Sequence, residues 1–245
     1  MGPREFYEVI ASTQDRALAL ARAGAAPGSS VVARSQTAGR GRNGHRWWSA
    51  PGALHLSIVL PAPAGPATLI PLALGASIGE ALRAEYGAPI VVKWPNDLVV
   101  IGTGGRPRKL GGILVDRVAG SAGPAAVAGI GVNVAVDERA LPPELTGSVA
   151  SLHEYAARAP ELGAVEALVA STALATATEL AGPDGARAWI PRCRAALWGV
   201  GRRAFVDGVD RGTIAGLEDD GALLVRDGPT LVPISAGDLR VGEPA

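Results

Sequence analysis

Residues 35–52 read S-Q-T-A-G-R-G-R-N-G-H-R-W-W-S-A-P-G, and this stretch suits neither a helix nor a strand. Its glycines interrupt any apolar period and its arginines have no acidic neighbour in the segment, so it is a loop. What brackets it is different. Residues 31–33 are apolar, and residues 54–60 alternate Leu54, Leu56, Ile58 and Leu60, the period-two pattern of a strand with one face in a core. A glycine- and arginine-rich loop hung between two strands is therefore the starting point for the fold.

Working outward, residues 12–22 predict a short helix. Ser12 or Thr13 can cap it, Asp15 suits its first turn, and Leu18 and Ala21 share a face. Residues 68–86 place Leu69, Leu72, Ala76 and Leu82 at helical spacing and end at Gly87 ahead of Pro89, as a helix should. Four further strands are predicted over 90–93, 98–101, 109–117 and 126–136. Successive strands with short, Gly-rich connections indicate an α+β protein with a mixed sheet, not repeated βαβ units. Helices follow over 161–180 and 186–197. From Arg202 the texture changes to short strands joined by Asp-Gly turns at Asp207-Gly208, Asp220-Gly221 and Asp227-Gly228, which predicts a small β-barrel of about forty residues. The expected organisation is a main unit over 1–199 and a small unit over 200–245.

Composition narrows the function. With 48% hydrophobic and 19% charged residues the chain can bury a core. Twenty-three basic and twenty-three acidic residues cancel, which argues against coating nucleic acid by bulk charge. A single cysteine, Cys193, excludes an internal disulfide framework and a multi-cysteine zinc site. The first ten residues carry Arg4, Glu5 and Glu8 and lack the apolar centre of a signal peptide, and no apolar run is long enough for a bilayer. A cytoplasmic protein without a membrane partner is expected.

Rare residues carry the rest. The only lysines are Lys93 and Lys109, the only asparagines Asn43, Asn96 and Asn133, and the only glutamines Gln14 and Gln36. All the side-chain amides thus fall in the first 133 residues, as they would if polar groups were being placed singly around a ligand. No Asp or Glu occurs between Asp15 and Glu80, whereas Arg16, Arg22, Arg34, Arg40, Arg42 and Arg46 do. That excess reads either as an exposed basic loop or as an anion site, where guanidinium groups fork onto phosphate or carboxylate.

Four motifs concentrate these residues. In 38–49, A-G-R-G-R-N-G-H-R-W-W-S, Gly39, Gly41 and Gly44 let the backbone approach a ligand and Arg40 and Arg42 present charge. A nucleic-acid-binding RG strip would normally repeat, and this one does not. In 91–100, V-V-K-W-P-N-D-L-V-V, Pro95 breaks the strand and displays Lys93, Asn96 and Asp97 at a turn; alone, it would read as a surface turn. In 108–116, R-K-L-G-G-I-L-V-D, Gly111 and Gly112 mark a close approach. In 129–134, G-I-G-V-N-V lacks the third glycine and following helix of a dinucleotide fingerprint.

In this order, and with G-D-L-R at 237–240, the motifs resemble those of biotin protein ligases of the monofunctional type, over residues 6 to 240. The resemblance implies a catalytic core like that of class II aminoacyl-tRNA synthetases and an SH3-like C-terminal barrel. It implies ATP-dependent attachment of biotin, through biotinyl-5′-AMP, to a lysine of the biotin carboxyl carrier protein or domain of an acyl-CoA carboxylase. ATP and biotin would be substrates and Mg2+ an auxiliary ion whose ligands the motifs do not identify. By position, Ser12, Thr13, Gln14, Gln36, Gly39, Arg40, Gly41, Arg42, Lys109 and Gly112 are implied on the biotin side. Arg42, Trp47, Lys93, Asn96, Asp97, Gly131, Asn133 and Arg240 are implied on the nucleotide side. Arg40, Arg42, Lys109 and Asp97 are the implied catalytic set, with Asp97 either serving the incoming lysine or pairing with a cation. Gln14 replaces the usual Asn and His45 the usual Arg. Only eleven residues precede Ser12, so no DNA-binding helix-turn-helix, and hence no DNA partner, is expected. Both monomers and homodimers occur in such a family. Rival readings are a lipoate or octanoate ligase of the same superfamily and a non-catalytic RNA-binding protein. His55 and His153 lie outside the motifs and are expected to be packed or surface residues.

Overall fold

The computed structural model describes residues 2–62, 65–102 and 105–244. It opens with β1 (Arg4–Ile10), α1 (Thr13–Arg22), β2 (Ser30–Gln36) and β3 (Ala53–Pro61), followed by α2 (Leu69–Tyr86). Then come β4 (Ile90–Lys93), β5 (Asp97–Ile101), β6 (Pro107–Gly120) and β7 (Gly123–Asn133), and helices α3 (Leu162–Leu180) and α4 (Gly185–Ala196). The first seven strands form one sheet in the order β1-β2-β3-β7-β6-β5-β4. β1 and β2 are parallel and every other pair is antiparallel, so the sheet is mixed, as its short connections require.

β1 is the element that the sequence reading missed. It is an edge strand, and Phe6 and Val9 on it are exposed along with Arg4 and Glu8, so no buried stripe marks it in the sequence. The other predicted elements fall within a few residues of their expected limits. Ser12 caps α1, its side chain accepting from the Asp15 amide. α2 ends on Gly87 at φ 76°, the left-handed stop that a side chain would disfavour.

The alternation in β3 explains how the sheet divides its two faces. Leu54, Leu56, Ile58 and Leu60 point into the main core, where the N-terminal two-thirds of α2 and the apolar faces of α3 and α4 are buried. Val59 points the other way and packs with Val31 and Val127 under Ala17, Leu18 and Ala21 of α1. Because α1 is only ten residues long, it covers one end of that second face. The other end, with His55 and Ser57, stays open to a cavity.

The last five strands, β8 (Arg202–Val206), β9 (Val209–Leu217), β10 (Leu223–Asp227), β11 (Thr230–Ile234) and β12 (Leu239–Pro244), make a separate antiparallel sheet ordered β11-β10-β9-β8-β12. It is joined firmly to the rest. Ala204, Ile214, Leu217, Leu223 and Val225 belong to the same apolar core as α2 and α4. The buried Trp94 indole N–H donates to Gly221 O at 3.1 Å, and the Trp198 amide donates to Val92 O. Cys193 is buried, and burial pushes its thiol pKa up to about 12, so it is an inert packing residue. No helix among the described residues is long and apolar enough to cross a membrane.

Candidate active site

The cavity floor is one cross-strand row. Ala33 on β2 faces His55 on β3, His55 faces Gly131 on β7, Gly131 faces Gly112 on β6, and Gly112 faces Asp97 on β5. Lys93 on β4 completes the row opposite Asp97. Two glycines in the middle make a trough between a polar end and a charged end. Trp47 lies across that trough: a Cβ on Gly131 would fall inside its indole, and one on Gly112 would meet it at 3.3 Å. Here glycine is required by close approach. The cavity encloses about 400 Å³, in the range that holds a small organic ligand.

At the polar end, each amide and hydroxyl is aimed by a neighbour. Gln36 Oε1 accepts from the Thr13 amide at 2.9 Å and from Thr13 Oγ1 at 3.1 Å, and Ser57 Oγ donates to Thr13 Oγ1. The Gln36 amide donates to Ser49 Oγ, and Ser49 Oγ lies 2.9 Å from His55 Nε2. His55 Nδ1 lies 3.2 Å from Ala33 O. A neutral ring with its proton on Nδ1 satisfies this whole chain, and burial lowers the His55 pKa, which favours that neutral form. Gln14 Nε2 donates to Asp116 Oδ2 and Val127 O, while Gln14 Oε1 is buried without a partner, as is Trp47 Nε1. Such orphans are uncommon in folded proteins and mark where a ligand's polar edge belongs.

At the charged end, the chain's two lysines meet one carboxylate. Lys109 Nζ is 2.6 Å from Asp97 Oδ1, and Lys93 Nζ is 3.6 Å from Asp97 Oδ2. Asn96 is fixed twice, its side chain donating to Ile113 O and its carbonyl accepting from the Ile113 amide. Asn133 donates to Lys109 O at 3.2 Å and so holds the lysine's backbone. One carboxylate between two ammonium groups leaves net positive charge, an arrangement that draws in an anion.

The loop closes over both ends. Arg40 and Arg46 pair as an isolated bridge, and the Gly41 amide donates to His45 O. Asn43 (φ 52°) and Gly44 (φ 76°) form its left-handed tip. Arg40 is held by Asp15 at 2.7 Å and Asp116 at 3.5 Å. Arg42 reaches Asn96 Oδ1 at 3.3 Å and Asp238 at 4.0 Å.

The structure gathers Thr13, Gln14, Gln36, Arg40, Gly41, Arg42, Trp47, Lys93, Asn96, Asp97, Lys109, Gly112 and Gly131 around the cavity. Four expected residues lie elsewhere. Ser12 is committed to capping α1, Gly39 stands behind Gln36 and Trp47, Asn133 sits behind Lys109, and Arg240 is exposed over the Phe205 ring at 5.4 Å. The sequence reading passed over Ser57 and Asp238, which also line the cavity, and Asp116, which holds Arg40 and Gln14 beside it. The alternation of β3 could have found Ser57, whereas Asp116 and Asp238 carry no local signal. No group of three metal-ligating side chains gathers among the described residues.

Residues 6–133 match the biotin/lipoate A/B protein ligase family. The chain is 44% identical over 114 residues to the bifunctional ligase/repressor BirA of Salmonella typhimurium, an alignment covering 44% of this chain and 34% of that protein. It thus spans about a third of that relative's length. It is 29% identical over 238 residues to the biotin–[acetyl-CoA-carboxylase] ligase of Mycobacterium tuberculosis, covering 93% of this chain and 85% of the relative. Among solved structures it is similar to the Aquifex aeolicus biotin protein ligase in complex with biotin and ATP, with a TM-score of 0.80, 25% identity and 99% of each chain covered.

Proposed function

The chain belongs to the biotin/lipoate A/B protein ligase family, and from that premise we propose that it joins biotin to a protein lysine at the expense of ATP. The observation that carries this reading is the single trough with an amide-and-hydroxyl cradle at one end and both of the chain's lysines at the other. A ureido ring needs singly placed donors and acceptors in a closed pocket, and Thr13, Gln36 and Ser57 are preorganised to supply them. Two anions brought together need cations, and Lys109, Lys93 and Arg42 supply them.

The reaction has two steps. The biotin carboxylate attacks the α-phosphorus of ATP and expels pyrophosphate, giving biotinyl-5′-AMP. The lysine of a biotin carboxyl carrier domain, of the kind found in acyl-CoA carboxylases, then attacks the anhydride carbonyl and releases AMP. Lys109 and Arg42 stabilise negative charge building on phosphoryl oxygen, an effect worth roughly 3 to 4 kcal/mol for a well-placed donor. Asp97 holds Lys93 and Lys109 in place beforehand and accepts a proton from the incoming lysine. Arg40, fixed between Asp15 and Asp116, orders the loop beside the carboxylate.

Mg2+ fits this donor set. It usually keeps several waters and is held largely by substrate phosphates, as this site requires, because Lys109 and Lys93 already engage both oxygens of Asp97 and would have to yield one of them. When bound it would neutralise phosphate charge. We assign residues 1–199 to a synthetase-like catalytic unit and 200–245 to an SH3-like barrel that closes the nucleotide side, with Arg240 nearby.

The test is pyrophosphate release from ATP on addition of biotin, with lipoate as control, followed by transfer of label to a carrier domain. Release with biotin but not with lipoate is the expected result. Release with lipoate alone would replace biotin as the substrate, and no release with either would remove the ligase reading.

A further inference from the structure

The tip of the arginine loop is gripped from the other sheet by a single carboxylate. Asn43 Nδ2 lies 3.2 Å from Asp238 Oδ1, and His45 Nε2 lies 3.2 Å from Asp238 Oδ2. Both oxygens are therefore used, across nearly two hundred residues of sequence. Asp238 is itself braced. Its amide donates to Asp207 Oδ1 at 2.9 Å, and the Asp207 amide donates back to Asp238 O. Asp207 sits at φ 51° in the β8–β9 turn and Gly237 at φ 133°, so the turn and the stretch leading into β12 are shaped around this exchange.

The grip is selective. Arg42 stands only 4.0 Å from the same carboxylate, beyond hydrogen-bond reach, while the two close contacts come from Asn43 and His45. A latch that closed on Arg42 would compete with any anion that Arg42 must bind. One that closes on its neighbours fixes the loop and leaves the guanidinium able to turn toward a ligand. Arg40 shows the contrast, with a carboxylate at 2.7 Å.

We propose that Asp238 is a positioning residue, a latch by which the C-terminal sheet holds the arginine loop over the cavity before and after the chemical step. Its consequence for the reaction, slower escape of the acyl-adenylate, rests on the function proposed above; the latch itself does not. Through it, the C-terminal sheet acts on the loop from the rim of the cavity. Asp238→Ala leaves the exchange with Asp207 possible, because that exchange uses the Asp238 backbone.

The experiment is limited trypsin digestion of the ligand-free full chain, with cleavage after Arg40, Arg42 and Arg46 resolved by mass spectrometry. Asp238→Ala should raise cleavage in the loop about tenfold and leave cleavage elsewhere and the melting curve unchanged. The loop-side variant Asn43→Ala/His45→Ala should do the same without altering the sheet. Combining all three substitutions should add nothing further, since both sides remove one interaction. Unchanged loop cleavage, or effects that multiply in the triple variant, would overturn the latch. A kinetic arm separates the two readings. Asp238→Ala should release adenylate about tenfold faster with less than a threefold change in the rate of its formation. If the proteolysis results hold but no adenylate forms in the parent protein, the latch stands and the ligase reading falls.

Discussion

The sheet row beneath the cavity and the loop above it hold their charges in different ways. Lys93, Asp97 and Lys109 stand on paired strands, and each lies within 4 Å of an opposite charge. Arg42 rides on a segment with glycines at 39, 41 and 44, and the hydrogen bond its guanidinium makes among the described residues is the 3.3 Å contact to Asn96. A preorganised charge stabilises a transition state without reorganising. A movable charge is suited to holding something that must first enter and later be handed on. The floor is thus expected to set the rate of activation, and the loop the lifetime of what activation makes.

The sharpest way to break that division is Lys109→Ala. Adenylate formation should fall by at least about a hundredfold, the loss expected for a phosphoryl donor. The fold should survive, because Lys93 still offsets Asp97 and the Lys109 carbonyl still accepts from Asn133. Single-turnover pyrophosphate release beside a melting curve checks it. Near-normal release would move the activating charge off the floor.

Arg42→Gly tests the other side and should act mainly on retention. Loss of a charge-assisted hydrogen bond of roughly 1.5 to 3 kcal/mol predicts adenylate release about ten- to a hundredfold faster. The readout is retention of intermediate after rapid dilution, with biotin transfer to lysines of an unrelated protein as the visible consequence. An unchanged off-rate with slowed activation would make Arg42 part of the floor's function.

Gly131→Ala probes the seam between the two. The new methyl occupies the space of the Trp47 indole, so the loop must lift while the strand pairing of β7 with β3 and β6 persists. A rise of about tenfold in the KM for ATP, with kcat changed less, is expected if Trp47 and the trough together receive the nucleotide. Equal losses in kcat and kcat/KM would instead show that Gly131 serves the chemical step directly.

Much of this was legible in the sequence, and unevenly so. Strand β3 and helix α2 were readable because a buried face repeats with a fixed period. Lys93, Asn96 and Lys109 could be singled out because their residue types are rare here, and Asp97 because it shares a short motif with two of them. β1 was not readable, since an exposed edge strand needs no apolar period. Asp238 was invisible for another reason: its role exists only once the β8–β9 turn meets the loop, a contact between residues that chain order keeps far apart. Gln14 was flagged by its departure from the expected Asn, but that it keeps an unpartnered oxygen depends on Asp116 and Val127 drawing its amide nitrogen away.

The smallest expected effect concerns the floor's own support. Burial holds the His55 pKa below its ordinary value near 6.5, so the unfolded chain binds a proton more readily than the folded one. Stability from this site is fully present above the unfolded value and is lost as pH falls through the folded one. The acidic groups with shifted pKa values, Glu5, Asp137 and Asp210, are all moved further down by arginine partners or an amide donor, so they titrate well below this window. Between pH 7.5 and 5, the melting temperature should therefore fall with a component that His55→Gln abolishes. Each unit by which the pKa is held down corresponds to about 1.4 kcal/mol, or about 3 °C for a chain of this size. The slope with pH is the quantity to compare, because the substitution lowers stability at every pH by disturbing Ser49 and Ala33. Protonation at His55 Nε2 removes the acceptor for Ser49, and Ser49 in turn holds the Gln36 backbone. Biotin affinity should then weaken over the same interval, whereas the rate of adenylate escape, governed by the loop, should follow it less closely. Parallel slopes in the parent and His55→Gln would assign the pH dependence to another group and detach His55 from the cradle.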